Sequence, residues 1–180
     1  LVDALRPRRV ELGLRSFVNT VETLANPADA GVHLGSFFHL SFAERVIDTL
    51  ATAETQPIDR VLMVQGLEGY DDVRPGRTTV AEWDLGGEVR DFEIRTAEYG
   101  MALDRESLAV DDVAADSAAI TEAVLTGERT DGFADAVAMN AALRIYAGGD
   151  VADLESGLVE ARAAIEDGSA ADRLEALRSF

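Results

Sequence analysis

The 180-residue chain has no cysteine, which excludes a disulfide framework, a thiolate metal site and a cysteine nucleophile. It has no lysine either, and all 16 basic residues are arginine. No apolar run approaches the roughly 18 residues that a membrane-spanning helix needs. No signal-peptide pattern opens the chain. Gly-x-Ser-x-Gly, His-Glu-x-x-His and Walker sequences are absent, so hydrolase and P-loop readings have no support. Ser36 has no identifiable base partner. His33 and His39 lie too far apart for a helical metal pair and read as structural.

What is present is acid. Thirty-four Asp and Glu residues set a formal net charge of −18, spread along the chain. A diffuse acidic surface without lysine suits high salt, which screens self-repulsion. A halophilic cytoplasm is therefore the expected setting. Nucleic-acid binding is disfavoured, because phosphate affinity comes from clustered basic side chains. The 47% apolar content can bury a real core. The chain opens on Leu1 in what reads as helix interior. Residues 1–180 are accordingly expected to form a single α/β domain, part of a longer chain whose N-terminal half is absent.

The order of elements predicts α/β architecture. Leu1–Ala25 reads as helix, interrupted near Pro7, and Asn26–Gly31 as a loop. Val32–Phe38 is a short strand, and Ser41–Ala53 a helix with Ser41 as N-cap and Glu44 completing a capping box. Asp59–Gln65 is a continuous apolar strand of the kind covered on both faces. Strand, helix, strand implies a parallel pair with a right-handed crossover. Arg77–Asp84 and Glu88–Arg95 form a hairpin, with Trp83 as a packing anchor. Thr96–Val113 is irregular. Helices over Ala114–Thr126, Asp131–Ala147, Asp150–Asp167 and Ser169–Arg178 complete the chain, three of them stopped by glycine. The fold class is thus α/β, a mixed, partly parallel sheet flanked by helices with a C-terminal helical group.

Two stretches carry chemistry. In Arg9–Asn26, helical spacing places Arg15, Asn19 and Glu22 on one face, away from the apolar stripe of Leu14, Phe17, Val18, Val21 and Leu24. An arginine and an asparagine facing the same way suit a carboxylate or phosphate, whereas the plain alternative is an amphipathic helix with its charges in water. The second stretch, Gly66–Gly76, follows the buried strand and holds Asp71 and Asp72 side by side among glycine and proline. Ligand sites of open α/β sheets lie at such strand ends. Paired carboxylates can take Mg²⁺ while phosphate oxygens and water complete its octahedron, although Asp and Gly also simply make good turns.

Arg9-Val-Glu-Leu-Gly-Leu-Arg15-Ser16, then Asn19 and Asn26-Pro27-Ala28, resembles the mid-chain signature of the anthranilate phosphoribosyltransferase family. Gly66-Leu67-Glu68-Gly69-Tyr70-Asp71-Asp72 resembles that family's acidic loop, and Asn140-Ala141-Ala142 falls in its helical tail. The resemblance spans essentially this whole chain but only the C-terminal part of the family's length. It implies the C-terminal part of a nucleoside phosphorylase/phosphoribosyltransferase-like fold. It also implies transfer of phosphoribosyl from phosphoribosyl pyrophosphate to the anthranilate amine in tryptophan biosynthesis, by a homodimer. Carried over by motif, Arg9 faces the acceptor's carboxylate and Asp71 and Asp72 hold Mg²⁺, with Arg15 and Asn19, on one helix face, as further substrate-binding candidates. Asp72 stands where the family usually has Glu, and Glu22-Thr23 stand where it has Gly-Pro beside the aromatic acceptor. The second departure leaves open another acceptor, or a non-catalytic relative that binds nucleic acid. The family's glycine-rich diphosphate loop lies outside these residues, so this segment alone is expected to be inactive.

Overall fold

The computed structural model describes Glu11 and residues 24–53, 57–67, 70–85 and 87–180. Four strands form one sheet in the order β1 (Val32–Ser36), β2 (Arg60–Val64), β3 (Arg77–Asp84), β4 (Arg90–Arg95). β1 and β2 are parallel, with Val32 opposite Arg60 and Ser36 opposite Val64. β3 runs antiparallel to both β2 and β4. The mixed, partly parallel sheet expected from the sequence is therefore observed. The strand predicted to reach Phe38 ends at Ser36: the Phe37 N–H makes one last bond to β2, at the Val64 carbonyl, and the chain then turns into the helix that starts at Leu40.

Period-two alternation divides β2 between two cores. Leu62 and Val64 point to one face, where they meet Val80, Ile94 and the helices α3 (Gly132–Gly148) and α4 (Leu154–Glu166). Val61 and Met63 point to the other, against Val46, Ile47 and Leu50 of α1 (Leu40–Ala51), with half-buried Trp83 packed beside them. Burial on both sides is why this strand reads as an unbroken apolar run. Two further α-helices among the described residues are α2 (Val113–Leu125) and α5 (Ser169–Arg178).

Local chemistry explains most helix ends. Asp112, Asp131 and Asp153 are the N-caps of α2, α3 and α4, each accepting backbone N–H bonds where the macrodipole favours an anion. α4 thus starts at Leu154, later than the Asp150 expected, because Asp153 accepts the Ser156 N–H. Gly149 closes α3 with φ 84°, a left-handed conformation that side chains resist. The α1 expectation needs correcting. The helix begins at Leu40 with His39 as N-cap, so Ser41 sits inside the first turn and makes no cap bond. The early turn after Phe37 lets the His39 carbonyl accept the Phe42 N–H, which takes the place of the predicted capping box. α3 and α4 approach closely at Gly157, where a Cβ would lie 2.7 Å from the Ala142 carbonyl oxygen.

The face of β3 that meets α3 carries a buried charge. Glu82 is 1% exposed and accepts from Arg60 of β2 (Nε, 2.9 Å), Arg90 of β4 (Nε, 3.2 Å) and the Tyr146 hydroxyl of α3 (2.9 Å). The Arg60 guanidinium also donates to the Tyr146 carbonyl, one of the last acceptors of α3, and lies 4.3 Å from the centre of the Tyr146 ring. Burial beside this carboxylate pushes the Tyr146 phenol above its ordinary value, while Glu82 holds the Arg90 guanidinium all the more firmly protonated. One acid thus ties three strands and a helix together.

Candidate active site

The acidic loop leaves the C-terminal end of β2 and returns into β3, at the opposite end of the sheet from Glu82. Its first bend requires glycine, since a Cβ on Gly66 would lie 1.7 Å from the Tyr70 carbonyl oxygen. Further along, the loop is pinned by buried groups. Val73 is itself in the core, and its backbone exchanges hydrogen bonds with the Asn140 side chain of α3. The Arg74 N–H donates to Thr78 Oγ1 at 2.9 Å, and the Gly76 N–H to Thr96 Oγ1 at 3.2 Å; both threonines are buried. The Arg74 side chain is spent locally, its Nε donating to the Arg77 carbonyl at 2.6 Å.

This scaffold presents Asp71 and Asp72 to water, 41% and 56% exposed. Their carboxylates converge. A single nitrogen, Arg144 Nη2 of α3, stands 3.2 Å from Asp71 Oδ2 and 3.3 Å from Asp72 Oδ1. A guanidinium nitrogen at the meeting point of two carboxylates is a stand-in cation. The donor set consists of hard carboxylate oxygens open to solvent. Among the described residues no cluster of three or more His, Asp or Glu could enclose a metal. That combination fits Mg²⁺, which uses one or two carboxylates and completes its shell with substrate phosphate and water.

Asp72 also edges an open hollow of about 450 Å³ lined by Tyr70, Val73, Leu108, Phe133, Val137 and Asn140. Its wall is mostly apolar with polar groups at the loop side. The structure therefore brings Asp71, Asp72, Asn140 and Arg144 together. Arg9, Arg15 and Asn19, the other expected site residues, lie outside the described residues, as do Glu22 and Thr23. His33 stays apart on β1, half-buried, its Nε2 without a hydrogen-bond partner among the described residues. Burial lowers its pKa.

Sequence reasoning passed over Asn140 and Arg144 as chemical groups. The available signal was their spacing: positions four apart share a helix face, and the asparagine interrupts an apolar stripe of Met139, Ala142 and Leu143.

The family model described as "Glycosyl transferase family, a/b domain" matches residues 2–171. The chain belongs to this family. Among curated relatives, the anthranilate phosphoribosyltransferase of Stenotrophomonas maltophilia (strain R551-3) is 35% identical over 178 residues, covering 97% of this chain and 50% of the relative. That of Natronomonas pharaonis is 32% identical over 174 residues, covering 96% of this chain and 50% of the relative. The crystal structure of the Thermus thermophilus anthranilate phosphoribosyltransferase superposes with a TM-score of 0.76 at 31% identity, covering 96% of this chain and 51% of that one. The Saccharomyces cerevisiae enzyme in complex with phosphoribosyl pyrophosphate and Mg shares the fold, with a TM-score of 0.74 at 20% identity. It covers 95% of this chain and 48% of that one. The resemblance drawn from the motifs is thus borne out at the level of family and fold. The chain spans about half the length of the curated relatives it matches.

Proposed function

We propose that the protein carrying this chain is an Mg²⁺-dependent anthranilate phosphoribosyltransferase, acting in tryptophan biosynthesis. The single observation that supports this most is the convergence of Asp71 and Asp72 on one cationic nitrogen at the C-terminal end of β2. In the reaction, the C–O bond from ribose C1 to diphosphate breaks, a C–N bond to the anthranilate amine forms, and that amine loses a proton. Bound Mg²⁺ supplies charge neutralisation for the departing diphosphate. Asp71 and Asp72 would hold the ion, and Asn140 keeps their loop in register with α3. Positioning and electrostatics then supply most of the rate, the acceptor amine being the nucleophile. Arg9 is assigned to the acceptor carboxylate on the strength of the motif, and Arg15 and Asn19 to the substrate site on their helical spacing. The remainder of the protein would supply the diphosphate loop and a homodimer contact, and the enzyme would work in a halophilic cytoplasm, as the charge of −18 suggests.

Glu22-Thr23 favours a second reading in which the phosphoribosyl chemistry is kept and the acceptor changed, because a carboxylate beside the acceptor site repels anthranilate. Fluorescence loss as anthranilate is consumed, followed with full-length protein in high salt, separates the two. Turnover that needs Mg²⁺ and falls at least ~100-fold in Asp71→Asn/Asp72→Asn supports the first reading. Mg²⁺-dependent phosphoribosyl pyrophosphate binding without anthranilate turnover selects the second. Binding of phosphoribosyl pyrophosphate that ignores both Mg²⁺ and the two aspartates removes the metal role. Single-stranded DNA binding that survives molar salt would instead identify a non-catalytic relative.

A further inference from the structure

The Arg144 guanidinium is held to its own helix by one terminal nitrogen and offers the other to the acidic pair. Nη1 donates to the carbonyl of Asn140 one turn back on α3, at 3.1 Å, while Nη2 alone reaches the two aspartates. The side chain is 44% exposed, and exposed ion pairs are weak and easily exchanged. Nor does the loop need this link to keep its shape. Asn140, Thr78 and Thr96 hold Val73, Arg74 and Gly76 through backbone bonds that do not involve Arg144. The contact is therefore free to break without unfolding anything. Asp71 Oδ2 and Asp72 Oδ1 offer lone pairs directed at one point, which a guanidinium and a metal ion cannot occupy together.

We propose that Arg144 is a tethered counter-cation that competes with the divalent metal for Asp71 and Asp72. It neutralises the acidic pair until metal arrives with diphosphate, and so sets the metal affinity of the loop. This rests on the reading of the pair as the Mg²⁺ site. Within it, Arg144 is a specificity-determining residue: it disfavours bare metal, and the diphosphate that the metal carries compensates.

Mn²⁺ alone serves as the probe, with bound ion counted by electron paramagnetic resonance on the full-length protein at fixed salt and without substrate. Removing one positive charge a few ångströms away in water-like surroundings should tighten Mn²⁺ binding by about three- to tenfold in Arg144→Gln. Arg144→Ala, which keeps helix propensity, should give the same shift. Arg144→Lys should stay within about twofold of the parent, since the charge is kept. Equal or weaker Mn²⁺ affinity in both neutral variants, with Asp71→Asn/Asp72→Asn still abolishing binding, overturns the role of Arg144 and leaves the metal site standing. Mn²⁺ binding that is the same in the parent and the double asparagine variant overturns the metal reading and this proposal with it. Thermal midpoints close to the parent value confirm that the Arg144 variants are folded, as expected for an exposed side chain.

Discussion

Asn140 and Val73, 67 residues apart, exchange a reciprocal pair of hydrogen bonds. The Val73 N–H donates to Asn140 Oδ1 at 2.8 Å, and Asn140 Nδ2 donates back to the Val73 carbonyl at 3.2 Å. The side-chain amide imitates a neighbouring strand. It therefore docks the acidic loop onto α3 with a definite register, one residue beyond Asp72.

Replacing Asn140 with alanine leaves a buried backbone donor and acceptor unmatched. The expected loss of stability is about 1–3 kcal/mol. Because the loop also loses its register, affinity for Mg²⁺–phosphoribosyl pyrophosphate should fall in parallel. Urea unfolding and substrate titration on the same preparation check both. An unchanged affinity would mean that the remaining anchors, Thr78 and Thr96, suffice to place Asp71 and Asp72.

Glu82 should behave as the keystone of a charge network rather than as a surface acid. Glu82→Leu strands the part-buried Arg60 guanidinium and should cost about 3–5 kcal/mol in denaturant unfolding. A double variant, Arg60→Met with Glu82→Leu, should recover much of that, because two apolar side chains need no partner. A single-variant loss below about 1 kcal/mol would place this pair with the weak surface bridges.

His33 makes stability depend on pH. Its half-buried imidazole has a pKa below the ordinary value of about 6.5, so the unfolded chain binds the proton more readily than the folded one. The stabilisation tied to the neutral ring is complete above that value and is lost as the pH falls below it. Thermal midpoints measured between neutral and mildly acidic pH should thus drop more steeply for the parent than for His33→Gln. Parallel curves would show that acidic-side loss comes from carboxylates alone.

Salt should stabilise the protein. With a net charge of −18, repulsion across the surface opposes the compact state. Raising ionic strength from 0.1 M to 1 M shortens the Debye length from about 10 Å to about 3 Å and removes most of it. Exposed pairs such as Arg162 with Asp135 weaken too, but each contributes little. The midpoint is expected to rise steadily with NaCl, and a flat or falling profile would remove the reason to call the surface salt-adapted.

Much of this molecule is legible in one dimension because the relevant physics is local. The apolar run of β2 announces a strand covered on both faces, the spacing of Arg77–Asp84 and Glu88–Arg95 announces the hairpin found as β3 and β4, and the Gly148-Gly149 pair announces the end of α3. Asp71 and Asp72 stand in a glycine-held turn directly after a buried strand, and that position alone singles them out. Where local rules compete, they mislead: Ser41 and Glu44 spell a capping box, yet the turn after Phe37 moves the N-cap of α1 two residues back, to His39.

What the sequence could not disclose is which distant groups meet. Arg144 with Asp71 and Asp72, Asn140 with Val73, and Tyr146 with Glu82 are joined across 64 to 73 residues. Each is a polar side chain on α3, and although the spacing of Asn140 and Arg144 puts both on one helix face, no pattern in the chain names the group each one meets. Only the packing of α3 across the sheet selects their partners. The chain alone determined that a carboxylate pair would stand at the end of β2, through strand burial and glycine-held turns. Tertiary packing decided that a guanidinium would stand between the two acids, because that contact exists only once α3 has docked.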